Sequence, residues 1–425
     1  MIKASIRTLA ALLVAAAIAV HATSLHSASA GDLEELLDEK LWTSRDAYDA
    51  AHVLMIPMID AYQSGNEELI ERYRGFMSRF IEDREKEELG KLTKLQFNYL
   101  VSRFTLLETS RSGCSVLGRA ALSHVATTAE SVLTSPAWLW KMPDFPSMFE
   151  RAEWKLSQAD TNPSYLRAFF DEEFFAFATA ADVVTASRRC DLEPSDVILK
   201  AAEIGRKIFL TQGRFDEKGW VFQPGVWRDH PDYAYAGNLS IGPDLKKVPV
   251  DSIGGDSSHA ARMPLIINSF ICSVSNDEQA AKNLSEISNG LSEALMAHVI
   301  IMPSEEFMGI RLKNYMTGEN GVYRYSYGTV GKNGGYGPYS LSGTFNFGWW
   351  SVLGHPLSLF YKAQLENLPF GDDAVTLYLG PVVTDGKAPR ARHPKFAPSE
   401  YLKGELVRTV LSAAARVAER GVSCS

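Results

Sequence analysis

The segment Gly255–Phe270, GDSSHAARMPLIINSF, sets a histidine and an arginine just behind an Asp-Ser-Ser turn that opens an apolar helix. Asp256 or Ser257 can cap that helix by accepting a backbone N–H. At about 100° per residue, His259 falls on the same face as Met263, Ile266 and Phe270, with Arg262 on the flank one turn further in. Pro264, within the first two turns, predicts a kink. Two readings follow. Either Asp256 is only a cap and His259 a satisfied core side chain, or Asp256, His259 and Arg262 converge on the anion-favouring end of a helix and His259 is a general acid or base.

Two long stretches without helical periodicity, 213–256 and 303–348, supply the company such a base needs. The first contains GWVFQPGVWRDHPDYAYAGN, which gathers Trp220, Phe222, Trp227, Tyr233 and Tyr235 with Arg228, Asp229, His230, Asp232 and Asn238. The second holds nine glycines and ten aromatics within the 36 residues from Tyr315 to Trp350. So many aromatics argue against disorder and for functional loops. Flat rings suit stacking on sugars, glycine lets backbone approach a ligand closely, and Arg, Asp and Asn satisfy hydroxyls. Trp227, Arg228, Asp229, Tyr233, Tyr235, Tyr323, Arg324, Tyr327 and Tyr336 are the expected substrate-binding set. The competing reading has these rings capping an end of the core. Glu305 and Glu306, behind Ser304, read equally well as first-turn residues of a helix.

Several signatures do not occur. There is no GxSxG elbow, phosphate-binding GxxxxGK[ST], GxGxxG or HExxH, and His230, His259 and His355 are too scattered to suggest a metal. No cofactor is expected. A formal net charge of −8, or −10 once Lys3 and Arg7 are removed, argues against nucleic-acid binding.

The elements that must position these residues are mainly helices. Residues 33–212 read as consecutive amphipathic segments near 44–63, 66–83, 93–109, 115–133, 147–158 and 193–211. One more starts at Asn162-Pro163 and runs through Leu166, Phe169, Phe170, Phe174, Phe177 and Ala181. Later helices are expected over 258–274, 277–300, 349–363 and 403–419, with short strands in the alternating GVYRYSYGT, 321–329. Most helices can pair as hairpins, and no TPR- or HEAT-type repeat appears.

Residues 1–30 carry a basic start, an apolar run from Leu9 to Val20 and a small-residue cleavage site at Ser27–Ala30, the pattern of a secretory signal peptide. The mature chain, 31–425, is expected to be one exported, periplasmic or extracellular domain with no stable membrane span. Cys114, Cys190, Cys272 and Cys424 then allow two disulfides in three possible connectivities.

Helical hairpins, the export signal, aromatic-rich loops and the segments DSSHAARMP and NYMTGENGVYRYSYG together resemble the (α/α) toroid carbohydrate-active enzymes, which include six-hairpin glycoside hydrolases and polysaccharide lyases. The resemblance covers most of the mature chain and is architectural. It implies a mainly α fold, a toroid of hairpins with few short strands, acting on a polysaccharide or oligosaccharide. In the lyase form it implies β-elimination at a uronic acid. Asn238 or Arg262 would neutralise the carboxylate, His259 or a tyrosine would remove the carbon-bound proton, and one of Tyr323, Tyr325 or Tyr327 would protonate the leaving oxygen, with Tyr325 and Asp256 completing the catalytic set. In the inverting-hydrolase form two carboxylates from Asp229, Asp232, Asp256, Glu305 and Glu306 would do the work. The lyase cast is the fuller one. A non-catalytic glycan-binding or assembly protein, or a helical scaffold whose loops bind another protein, would use the same loops without a base.

Overall fold

A computed structural model describes residues 31–43, 45–83, 89–381 and 392–424; the signal segment 1–30 lies outside them. The described chain is mainly helical. In order, the helices are α1 (Gly31–Asp38), α2 (Asp46–Val53), α3 (Met55–Ser64), α4 (Glu67–Glu82), α5 (Lys91–Ser112), α6 (Val116–Leu133), α7 (Met148–Ser157), α8 (Asp171–Arg189), α9 (Asp196–Gln212), α10 (Ser257–Ala260), α11 (Met263–Ser273), α12 (Glu278–Ala294), α13 (Pro356–Glu366), α14 (Asp372–Leu379), α15 (Pro398–Lys403) and α16 (Glu405–Arg420). Three two-stranded antiparallel ribbons interrupt them: β1–β2 (Ala137–Leu139 and Met142–Phe145), β3–β4 (Gly213–Asp216 and Gly219–Phe222) and β5–β6 (Ile300–Ile301 and Arg311–Leu312).

The helix that organises the middle of the molecule is α8. Acidic Asp171, Glu172 and Glu173 open it and basic Arg188 and Arg189 close it, both favourable with the helix dipole. Its side chains are buried on almost every face. Accordingly α8 packs against α5, α6, α9 and α11. Buried charge ties three of these together. Arg103 on α5 donates to Asp182 on α8 at 3.0 Å and to Ser269 and Asn268 on α11 at 3.1 and 2.8 Å. Hairpin partners lie alongside: α6 against α5, α9 against α8, α12 against α11 and α13 against α16. The last helix returns to the first part of the chain, with α16 against α3. One hydrophobic cluster runs from Leu33 to Ala418.

Several boundaries depart from the sequence reading. The Asn162-Pro163 start yields only one 3₁₀ turn, Ser164–Arg167. The chain is then extended, and α8 begins at Asp171, where the Glu173 carboxylate accepts the N–H of Phe170. Burial of Glu173 against Arg151 at 2.9 Å fixes that later start. The expected 258–274 helix is broken into α10 and α11 at Ala261–Arg262, because Pro264 occupies the first turn of α11 and cannot continue a helix through it. The 321–329 segment forms no strand; one isolated bridge joins Tyr323 to Tyr336. Glu305 and Glu306 sit in a turn between Ser304 and Phe307 and start no helix. Helices α1, α14 and α15 fall outside the helical segments that periodicity marks.

The two aromatic-rich loops fold against each other. Tyr233, Ala236 and Ile253 of the first and Tyr315, Tyr323 and Leu341 of the second form their own small core. Gly321 is required at the crossing, since a Cβ there would stand 1.6 Å from the carbonyl oxygen of Ala236.

Disulfides join Cys114 to Cys190 and Cys272 to Cys424, which selects one of the three connectivities and fits an oxidising compartment. Among the described residues no helix is long and apolar enough to cross a membrane.

Candidate active site

The start of α10 is set by the second loop. Ser257 N–H donates to the carbonyl of Asn314 and Met316 N–H to that of Gly255, each at 2.9 Å. The Asn314 amide in turn donates to the carbonyls of Gly321 and Gly337 at 2.9 and 2.7 Å, holding the loop in shape.

Asp256 combines both roles that the sequence left open. Its Oδ1 accepts the backbone N–H of His259 at 3.1 Å, an N-cap. Its two oxygens also lie 2.9 and 2.8 Å from His259 Nδ1. An ionised carboxylate only accepts, so Nδ1 carries the proton and Nε2 of the neutral ring keeps a lone pair. No hydrogen-bond partner among the described residues reaches Nε2, and the His259 side chain is 42% exposed. The ring therefore leaves the buried stripe of Met263, Ile266 and Phe270 on which helical periodicity put it, because α10 ends before α11 begins.

Asp256 itself is 1% exposed. Burial alone would raise its carboxyl. The charge of His259 whenever that ring is protonated, its hydrogen bond, the Ser258 hydroxyl at 2.5 Å and the Arg324 charge outweigh that and hold it well below the usual carboxylate range. The Tyr233 hydroxyl donates to Asp256 Oδ2 at 2.9 Å and accepts the Asp256 N–H at 3.2 Å. A buried carboxylate that orients an imidazole by one nitrogen and leaves the other open can support proton transfer at that open nitrogen.

His259 borders a cavity of about 360 Å³, within the range of small-ligand sites. Its walls are aromatic: Trp140, Phe169, Phe170, Phe174, Trp227, Tyr233, Tyr323 and Tyr327. Trp227 stacks on Tyr233 with centroids 5.2 Å apart, and Tyr323 meets Tyr233 edge-on at 5.3 Å. The Arg324 guanidinium lies 5.0 and 4.9 Å from the ring centres of Tyr323 and Tyr327. It pairs with Asp232 at 2.8 Å, and Arg324 N–H donates to the Asp232 carbonyl at 2.9 Å. Arg324 adopts a φ of +53°, a left-handed conformation fixed by these contacts.

The remaining charges are already engaged. Arg262, buried and outside the cavity lining, pairs with the lining residue Asp171 at 2.9 Å. It also reaches the Tyr48 hydroxyl at 3.3 Å and His52 Nε2 at 3.4 Å. His52 stacks on Trp349 at 5.2 Å and donates from Nδ1 to the Tyr48 carbonyl at 2.8 Å. Burial, reinforced by the Arg262 charge, lowers its pKa to about 3, so it is neutral.

Of the residues expected from sequence, the cavity brings together Asp256, His259, Trp227, Tyr233, Tyr323, Arg324 and Tyr327. It does not include Asn238, whose amide donates to the carbonyls of Tyr235 and Lys246 at 3.3 and 3.0 Å. Nor does it include Tyr325, whose hydroxyl donates to Gly242 O at 2.8 Å and accepts from Leu245 N–H at 3.1 Å, joining loop to loop. Tyr235 packs on Tyr325 and Tyr336 on Tyr323. Asp229 accepts the N–H and hydroxyl of Ser164, both at 2.7 Å, and so caps the 3₁₀ turn. Arg228 is a surface residue 3.7 Å from Asp160. Sequence reasoning missed Trp140, Phe170 and Asp171. Trp140 had a signal in the pair Trp138-Leu-Trp140 beside the Lys141 turn; Phe170 and Asp171 were hidden inside a helix that starts later than expected. Among the described residues no three His, Cys, Asp or Glu side chains are grouped to hold a metal.

No protein-family model matches the chain, and no curated protein and no solved structure matches it.

Proposed function

We propose that the protein is an exported lyase that cleaves a uronate-containing glycan by β-elimination, on a closed ring of helical hairpins. The observation that carries the reading is the Tyr233–Asp256–His259 chain ending in an open Nε2 at an aromatic cavity. Packing order supports the ring: α5 lies against α8, α8 against α11, α11 and then α16 against the 349–353 turn, and α16 against α3. The two disulfides support export.

Elimination needs three things, and the lining residues supply each. The uronate carboxylate must be met by a positive charge; Arg324, stacked on Tyr323 and Tyr327, is the cation of the cavity wall. The C5 proton then goes to His259 Nε2, and Asp256 stabilises the imidazolium that forms. The C4–O bond breaks as the C4–C5 double bond forms, and a tyrosine hydroxyl returns a proton to the leaving oxygen. Tyr327, half-exposed on the lining, fits that role better than buried Tyr323. Asn238 and Arg262 leave the proposed cast, because neither lines the cavity. Trp140 and Trp227 offer stacking faces for sugar rings.

Hydrolysis is less well supplied. The three lining carboxylates, Asp171, Asp232 and Asp256, are each paired with a cationic or imidazole side chain within 3 Å. Glu305, Glu306 and Asp229 lie outside the lining. An inverting enzyme needs one protonated carboxyl and one free base.

The test is a panel of acidic and neutral polysaccharides incubated with the mature protein, reading new reducing ends and the ultraviolet absorbance of unsaturated uronate in parallel. Both signals together are expected from an acidic glycan. Reducing ends without absorbance would assign hydrolysis instead, and saccharide binding without product a binding protein.

A further inference from the structure

A second histidine borders the same cavity, and its hydrogen bonding is the reverse of that of His259. His230 precedes the 3₁₀ turn Pro231–Tyr233, and its Nδ1 accepts the backbone N–H of Asp232 at 3.2 Å. An amide N–H only donates, so Nδ1 must hold a lone pair and the neutral ring must carry its proton on Nε2. No hydrogen-bond partner among the described residues engages that Nε2. The ring cannot easily rotate away, since Tyr165, Trp227, Trp140 and Tyr233 each meet it edge-on, with centroids 4.8 to 5.9 Å distant.

We infer that His230 is a fixed neutral N–H donor of the cavity, which hydrogen-bonds the substrate oxygen on which negative charge builds while His259 takes the proton. The assignment to a uronate oxygen rests on the lyase reading; the donor itself rests on the Asp232 N–H and the aromatic cage. The two loops thus set one ring as acceptor and the other as donor. An imidazole N–H is well suited to this, because it stabilises a growing enolate without becoming a competing base. The charges around His230 agree. Burial lowers its tendency to protonate and Arg324 adds to that, while Asp232, Asp229 and Asp256 oppose it without prevailing.

The tautomers are directly observable by long-range ¹H–¹⁵N NMR on the histidine rings of the whole mature protein. His230 is expected as the Nε2–H form near neutral pH and His259 as the Nδ1–H form. Adding a uronate disaccharide should move the His230 Nε2–H resonance. An Nδ1–H or doubly protonated His230, or a resonance that saturating disaccharide leaves unmoved, overturns the proposal. If no glycan yields product but the disaccharide still moves this proton, the lyase reading fails and the donor stands. In active protein, His230→Phe keeps a planar ring without the donor and is expected to lose about 10²-fold in kcat with little change in KM. His230→Gln, which restores an N–H at the same reach, should recover most of that loss. Equal rates in wild type and the Phe variant would also overturn it.

Discussion

Two charged pairs stand near α11 and behave oppositely. Arg103 and Asp182 are each 1% exposed, and the terminal nitrogens of Arg103 are taken up by Asp182, Ser269 and Asn268. Asp256 is as deeply buried, yet its partner His259 is 42% exposed and keeps one nitrogen open at a cavity. The first pair joins three helices, lies outside the cavity and, Arg103 Nε apart, spends the nitrogens of Arg103 inside the core. The second is anchored by a cap, a tyrosine and a serine, and turns its remaining valence outward. Burial and pairing alone therefore do not separate the two pairs; what separates them is the unspent nitrogen that His259 keeps at a cavity, on which the proposed chemistry rests.

The contrast can be broken from either side. Arg103→Ala strands the Asp182 carboxylate in the core and should cost about 3–5 kcal/mol of stability, seen as a large fall in the thermal midpoint. Replacing both partners together, Arg103→Met with Asp182→Leu, should recover most of it. Asp256→Asn should do the reverse. Asn still caps α10, so the thermal midpoint should move far less, while turnover falls about 10²–10⁴-fold through loss of the charge that supports His259 as a base.

Acid separates structural from reactive histidines as well. Unfolded His52 takes up a proton below its ordinary value of 6.5, whereas the folded protein resists protonation there until about pH 3. Acid therefore favours the unfolded chain, and this residue withdraws stability as pH falls from about 6.5 towards 3, at up to about 1.4 kcal/mol per pH unit. Denaturant melts of His52→Gln over that window should show a shallower loss than wild type. The smallest effect belongs to the cavity wall. Trp227→Ala should weaken saccharide binding by about 1 kcal/mol, roughly fivefold in the dissociation constant of a non-cleaved oligosaccharide.

Much of this was legible in the residues. The period of α4, α6, α7, α9, α12 and α16 located those helices to within a few positions, since amphipathic spacing reports burial directly, whereas α5 is buried on nearly every face and shows no such stripe. The Asp-Ser-Ser-His turn was readable because a cap has a local signature. What failed was non-local. Asn238 and Tyr325 look like site residues by composition, but carbonyls eight and 83 positions away claim their polar atoms. Asp229 serves Ser164, 65 positions distant. His52 and Tyr48 reach Arg262 across more than 200 residues, and no short pattern could announce that. The tautomer of His230 was equally hidden, being set by the turn that follows it.

The most direct measurement is elimination by wild type and by His259→Ala on the same acidic glycan, with folding of both checked by circular dichroism. The account predicts rising absorbance of unsaturated uronate for the wild type and loss of about 10²–10⁴-fold in the folded variant. A folded His259→Ala protein that still forms the unsaturated product at the wild-type rate would contradict it.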